Sequence, residues 1–149
     1  MTKAKPATGL PDWMQDHVNR YLATNGADGH MMTTPGGTRP VPTLLLTTTG
    51  RKSGEKFLFP LIYGREGRNY IVVASKGGAP EDPGWYKNLV QDPHVSFQVI
   101  DKTFTGTART ATGGERSHLW TLMAGIFPTY DDYRKKTDRE IPVVALEPA

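Results

Sequence analysis

The sequence predicts an α+β domain dominated by β-structure: a small antiparallel barrel with flanking helices. Three observations carry that expectation. From Val41 onward, short segments rich in leucine, β-branched and aromatic side chains are separated by Gly, Pro and Asn. Residues 94–100 (HVSFQVI) and 102–110 (KTFTGTART) alternate like the two arms of a hairpin. Helical patterns are too sparse for the strand–helix alternation of a doubly wound parallel sheet.

Residues 1–10 read as a disordered tail. Residues 11–24 predict a helix: Trp13, His17 and Tyr21 recur at four-residue spacing, with Val18 and Leu22 beside them. Residues 25–40 crowd Gly, Pro and Thr and read as a loop. The chain thus divides into a flexible N-terminal tail over 1–40, able to form one amphipathic helix, and a barrel over 41–149. Residues 41–48 and 56–63 are the first two strands. Pro60 lacks a ladder donor, so the second strand needs an edge position or a bulge. GREGRN, 64–69, reads as a turn. The unbroken apolar centre of 69–75 (NYIVVAS) asks for burial on both faces. A helix follows, with Asp82 as its cap, Pro83 at its first position, and Trp85 and Leu89 on one face. Thr112 and Glu115 have the spacing of a capping box. The helix they open carries a stripe of Leu119, Leu122, Met123 and Ile126, and Pro128 ends it. TYDDYRKK, acids first and bases last, suits a further short helix. IPVVALEP is the final strand.

At 149 residues the chain suits one domain with its own core. No apolar run approaches the roughly 18 residues of a membrane span, and the N-terminus lacks the apolar centre of a secretory signal. With no cysteine there is no disulfide, thiolate nucleophile or Cys-ligated zinc, which fits a cytoplasmic protein. The formal charge of +3 is too small to argue for nucleic acid and suits a small anionic ligand. The four histidines have no ligand spacing, so no metal site is expected, and no nucleophile elbow is present.

Four constellations remain. In TTTGRKSGEK, Gly50 and Gly54 are too close for a Walker-type loop, and Glu55 stands where its lysine belongs. The segment reads either as a polar hairpin turn or as another kind of anion cradle, with Arg51 forking oxygens and Lys52 giving a point charge. Ala74-Ser75-Lys76-Gly77-Gly78 is either a solvated loop or a ligand edge where main chain meets a flat ring. Trp85 and Leu89 read first as core, whereas Asn88 could address a ring or a phosphate. Tyr130 and Tyr133 share one helical face. They are either packing aromatics or phenols able to donate a proton to a developing oxyanion.

Together TLLLTTTGRKSG, PLIYGREGRNYIVVASKGG, PGWYKNLVQDPHVSFQV and FPTYDDYRKKTDREIPVV resemble the deazaflavin-dependent nitroreductase family, over roughly residues 40–148. That family uses coenzyme F420 on a split β-barrel fold shared with FMN-binding proteins. The resemblance implies that 41–149 is a split β-barrel F420-binding domain. It implies that Gly50, Arg51 and Lys52 hold the coenzyme's phosphate and glutamyl tail. It implies ring contacts from Val73, Ala74, Ser75, Lys76 and Gly77, cofactor binding by Pro60 as well, and a cofactor-side helix presenting Trp85 and Asn88. It implies that Tyr130 and Tyr133 line the substrate side as the catalytic residues, with the proton coming from Tyr133, Tyr130 or water. The implied reaction is hydride transfer from reduced F420 to a quinone, an activated double bond or a nitro compound. A non-catalytic or FMN-binding split-barrel carrier of flavin or haem is the alternative. Phe57 replaces a frequent family arginine, with Lys56 expected on the other face. Phe127 and Ile62 replace tyrosines of the nitroreductase-type members, making the acceptor pocket less polar. No nucleic-acid partner is expected, and a peripheral membrane contact through the N-terminal helix is held as an option.

Overall fold

Residues 4–7 and 9–149 are described by a computed structural model, and they form nine strands and four helices. The strands are β1 (Lys5–Pro6), β2 (Met31–Met32), β3 (Val41–Thr49), β4 (Lys56–Ile62), β5 (Gly64–Glu66), β6 (Asn69–Val73), β7 (His94–Val99), β8 (Lys102–Thr110) and β9 (Val143–Pro148). The helices are α1 (Asp12–Ala23), α2 (Gly84–Gln91), α3 (Gly113–Ile126) and α4 (Thr129–Lys135). Strand order is β1-β4-β3-β7-β8-β9-β6-β5, with β2 paired separately to β3. Among the described residues only the β1–β4 pair is parallel. The 94–110 hairpin forms as the alternation predicts, from Val99↔Lys102 to His94↔Thr107. The sheet curls until β4 and β6 touch, a split β-barrel with flanking helices.

The continuous apolar runs explain how the helices are placed. Successive side chains on a strand point to opposite faces. On β3, Leu44 and Leu46 enter the barrel interior, whereas Leu45 packs outside with Val18, Tyr21 and Leu58. On β6 and β9, Tyr70, Val72, Val144 and Leu146 point inward. Ile71, Val73, Val143 and Ala145 point outward, under α3 and α4. Each such leucine or valine is worth about 1.5–3 kcal/mol when buried, so neither face can stay wet. Trp85 and Leu89 of α2 plug the interior.

The N-terminal third differs from the flexible tail expected over 1–40. Residues 1–3 and 8 lie outside the described residues, so the tail expectation is untouched there. Lys5 and Pro6 pair with Phe57 and Leu58, and α1 docks with His17, Val18 and Tyr21 fully buried. The physical reason is Leu45, whose outward side chain needs a cover. Tyr21 adds hydrogen bonds: its hydroxyl donates to Thr43 O at 3.1 Å and accepts from Ile100 N at 2.8 Å. The same contacts bury His17 and Tyr21 of the Trp13–Tyr21 face, whereas Trp13 and Leu22 stay exposed. No described helix is long and apolar enough to cross a membrane.

Smaller corrections have local causes. Thr112 precedes α3 without a side-chain cap bond. Glu115 is taken instead by Arg109 in a forked, charge-assisted pair (Nη2–Oε2 2.8 Å), which outcompetes a reach back to an amide. Asp82 does not cap α2 either; it accepts from Arg139. Part of the expected turn 64–69 is strand, because β5 pairs with β6 before turning at Gly67. Pro60 sits on β4 beyond the two residues that β1 covers, an edge position as expected.

Burial pushes the Tyr21 phenol up to about 12. An unfolded phenol ionises near 10, so folding holds the proton more tightly than the unfolded chain does. The stabilisation is complete below about pH 10 and is lost as pH rises through the folded value. Replacing Tyr21 by Phe is expected to cost about 1–2 kcal/mol at neutral pH and to flatten the alkaline loss of stability. Urea unfolding followed across pH checks both.

Candidate functional site

Two cavities meet on one side of the barrel. The larger, about 610 Å³, lies between α1, β4, the Ser75–Gly77 loop and α4. The smaller, about 350 Å³, lies between the Gly50–Ser53 turn and α2. Phe59 and Trp85 line both, their rings 6.4 Å apart.

The small cavity is built from the turn between β3 and β4. Gly50 has no room for a Cβ, which would sit 2.7 Å from the Phe57 ring. Phe57 faces this groove, whereas Lys56 bonds Thr49 on the other side. Asn88 is buried, and both the oxygen and the nitrogen of its amide are engaged. Its Oδ1 accepts from Arg51 Nη1 at 2.8 Å and from Arg51 N at 3.2 Å, while its Nδ2 donates to Thr48 Oγ1 at 3.2 Å. Asn88 therefore brackets Arg51 and sets its guanidinium at the groove. Arg51 and Lys52 are exposed, and neither makes an ion pair among the described residues. The groove is a cationic end.

The large cavity is apolar with a few polar points. Pro60, Ile62, Val73, Trp85 and Phe127 give its walls, and Ser75, Tyr130 and Tyr133 give polar atoms. Lys76 lines it too, but its ammonium is paired with Glu81 at 2.8 Å. Ala74 lies beneath the wall, fully buried. Gly77 has φ 63° and open space where a Cβ would project. Gly78, at φ 82°, would place a Cβ 2.9 Å from Tyr133 O. Tyr130 and Tyr133 stand edge to face with ring centroids 6.3 Å apart. Burial, and then the neighbouring Tyr133, raises the Tyr130 phenol well above its ordinary value. Burial, and then the charge of Asp132, raises Tyr133 as well. Both remain protonated donors at neutral pH.

Sequence reasoning missed several contributors. Trp13, Met14 and the Met32–Gly37 segment also line the large cavity, and Arg39 ties that segment to the end of α3 through Gly125 O and Ile126 O. Thr48 supports Asn88, and Arg139 grips the Ala74–Ala79 loop. None of these pairings has a local sequence signal.

The two adjacent loop glycines separate packing from strain. Gly77→Ala is expected to cost only the left-handed backbone penalty, about 1–2 kcal/mol. Gly78→Ala adds the clash with the α4 backbone and is expected to cost more. Chemical denaturation of the two variants side by side measures the difference.

A family model described as F420H(2)-dependent quinone reductase matches residues 13–148. An F420H(2)-dependent quinone reductase of Mycobacterium tuberculosis is 38% identical over 146 residues, covering 90% of this chain and 95% of that protein. Among solved structures, an F420-H2 dependent reductase (FDR-A) is 48% identical with a TM-score of 0.67, over 71% of this chain and 94% of that one. HutZ, the heme storage protein from Vibrio cholerae, superposes with a TM-score of 0.57 at 17% identity, covering 72% of this chain and 81% of that one. That likeness speaks to the split barrel alone.

Proposed function

The chain belongs to the F420H(2)-dependent quinone reductase family and is an F420-dependent reductase, and from that premise we propose that its two cavities form one site, tail in the small one and ring in the large one, with a quinone as the acceptor. The observation that carries this reading is the junction at Phe59 and Trp85, where a cationic groove opens into an apolar chamber. F420 has the matching shape: a flat tricycle joined to a phosphate and an acidic tail. The fit extends to the backbone, since the wall at Gly77 lacks a side chain where a ring would lie. Gly50, Arg51 and Lys52 would hold the phosphate and tail. Pro60, Val73, Ser75, Gly77 and Trp85 would flank the ring, with Ala74 supporting them from beneath. Asn88 acts through Arg51, and the Glu81 pair steers Lys76 away from direct charge recognition.

When bound in its reduced form, the coenzyme supplies a hydride. The protein's own task is to position the acceptor, exclude water and handle one proton. Ile62, Phe127 and the Trp13–Met14 corner give an apolar wall suited to a quinone ring more than to a polar nitroimidazole. Tyr130, sealed by burial, donates a hydrogen bond to the acceptor oxygen that gains charge. Tyr133, partly open to solvent, gives the proton and regains one from water. Hydride plus proton reduces the quinone to the quinol. Activated double bonds would use the same two phenols, and nitro compounds would meet a less polar pocket.

The double variant Arg51→Ala, Lys52→Ala is expected to bind F420 at least about tenfold more weakly. It should also lose most of the salt dependence of the unchanged protein, because exposed charges are screened. Fluorescence titration at two ionic strengths checks this; unaltered affinity would remove the groove from the site.

Tyr133→Phe is expected to slow quinone turnover by about 10² while leaving F420 affinity nearly intact, and Tyr130→Phe to slow it less. Single-turnover oxidation of bound reduced coenzyme, followed by absorbance, measures both. Undiminished rates in the double Phe variant would mean that water supplies the proton.

A further inference from the structure

Arg139 lies between α4 and β9 and reaches back 60 to 65 positions to the Ala74–Ala79 loop. Its guanidinium donates to three main-chain carbonyls of one loop. Nε meets Ala79 O at 2.8 Å, and Nη2 meets Ser75 O at 2.9 Å and Ala74 O at 3.3 Å. Nη1 holds Asp82 at 2.9 Å, with the Arg139 side chain only 14% exposed. One side chain therefore joins the loop wall of the large cavity to Asp82, two residues before α2, which carries Trp85 and Asn88.

That loop needs holding. Lys76, Gly77 and Gly78 have φ values of 46°, 63° and 82°, three consecutive residues in the left-handed region. Lysine there is strained, and such backbone persists only where the surroundings over-determine it. Peptide planarity adds a consequence. With the Ala74 and Ser75 carbonyls turned onto Arg139, the amides of Ser75 and Lys76 point the opposite way. Neither amide donates to a protein acceptor among the described residues. The loop also packs on the α4 backbone, where a Cβ at Gly78 would meet Tyr133 O.

We infer that Arg139 is a positioning residue for the cofactor ring: it clamps Ala74–Ala79 in the conformation that lines the large cavity and sets that wall against α2 and α4. This rests on the reading that the ring occupies the large cavity. A lysine at 139 could keep the charge towards Asp82 but could not fork three carbonyls. An uncharged side chain would lose both.

The test uses Arg139→Gln and Arg139→Lys, with Arg109→Gln as a control that removes ion pairs to Glu115 and Glu147 away from both cavities. Two readouts are taken: hydrogen exchange at the Gly78 and Ala79 amides in the protein alone, and the dissociation constant for oxidised F420. Both Arg139 variants are expected to exchange faster at these two amides and to bind F420 about tenfold more weakly. The control is expected to lose melting temperature without changing either readout. If Arg139→Gln does not fold, Arg139→Lys carries the test alone. F420 binding by the unchanged protein, together with undiminished binding and unchanged exchange in the folded Arg139 variants, would overturn the clamp. Failure of the unchanged protein to bind F420 would instead overturn the reading beneath it, and the clamp's role with it.

Discussion

Three central strands of this protein are apolar on both faces, and everything else follows from covering them. β3, β6 and β9 send Leu44, Leu46, Tyr70, Val72, Val144 and Leu146 into the barrel. Their alternate residues, Leu45, Ile71, Val73, Val143 and Ala145, are left outside. α1 covers Leu45, and the α3–α4 pair covers the β6–β9 side. Between these two covers a strip of β4, from Phe59 to Ile62, remains open. The large cavity is that gap, so site and core come from one packing problem.

The second cavity arises where α2 plugs the barrel. Trp85 faces the interior and both cavities, and Asn88, one turn on, is buried against the β3–β4 turn. A buried amide must satisfy its hydrogen bonds. Here it does so by accepting twice from Arg51. The cationic end of the site is thereby built into the fold through a neutral side chain, and the apolar end through aromatic and aliphatic walls. This polarity matches the shape of a deazaflavin with an anionic tail.

Much of this was legible in the sequence, for identifiable reasons. Period-two and continuous apolar patterns gave β3, β6, β7, β8 and β9 within a few residues, because strand burial follows side-chain alternation. Gly50, Arg51, Lys52, Trp85 and Asn88 were singled out, and the structure brings all five to one groove. What could not be read was tertiary choice. A Thr-x-x-Glu pattern does not reveal that Arg109 will take the glutamate. The first forty residues resemble a tail because the partners of Tyr21, Thr43 and Ile100, stand far along the chain. Arg139 looks like any charge in TDREIP until its carbonyl partners fold against it.

The central claim is that tail and ring are held by separate, adjoining cavities. Titrating the unchanged protein with whole F420 and with the deazaflavin lacking phosphate and glutamates, each at low and high salt, tests it most directly, with intrinsic tryptophan fluorescence as the reporter. Both molecules should quench it, since Trp13 and Trp85 both line the cavity that takes the ring. Whole F420 should bind more tightly and weaken with salt, while the tail-less molecule should bind weakly and show little salt dependence. Equal affinities with equal salt slopes, or quenching by the whole coenzyme alone, would contradict the account.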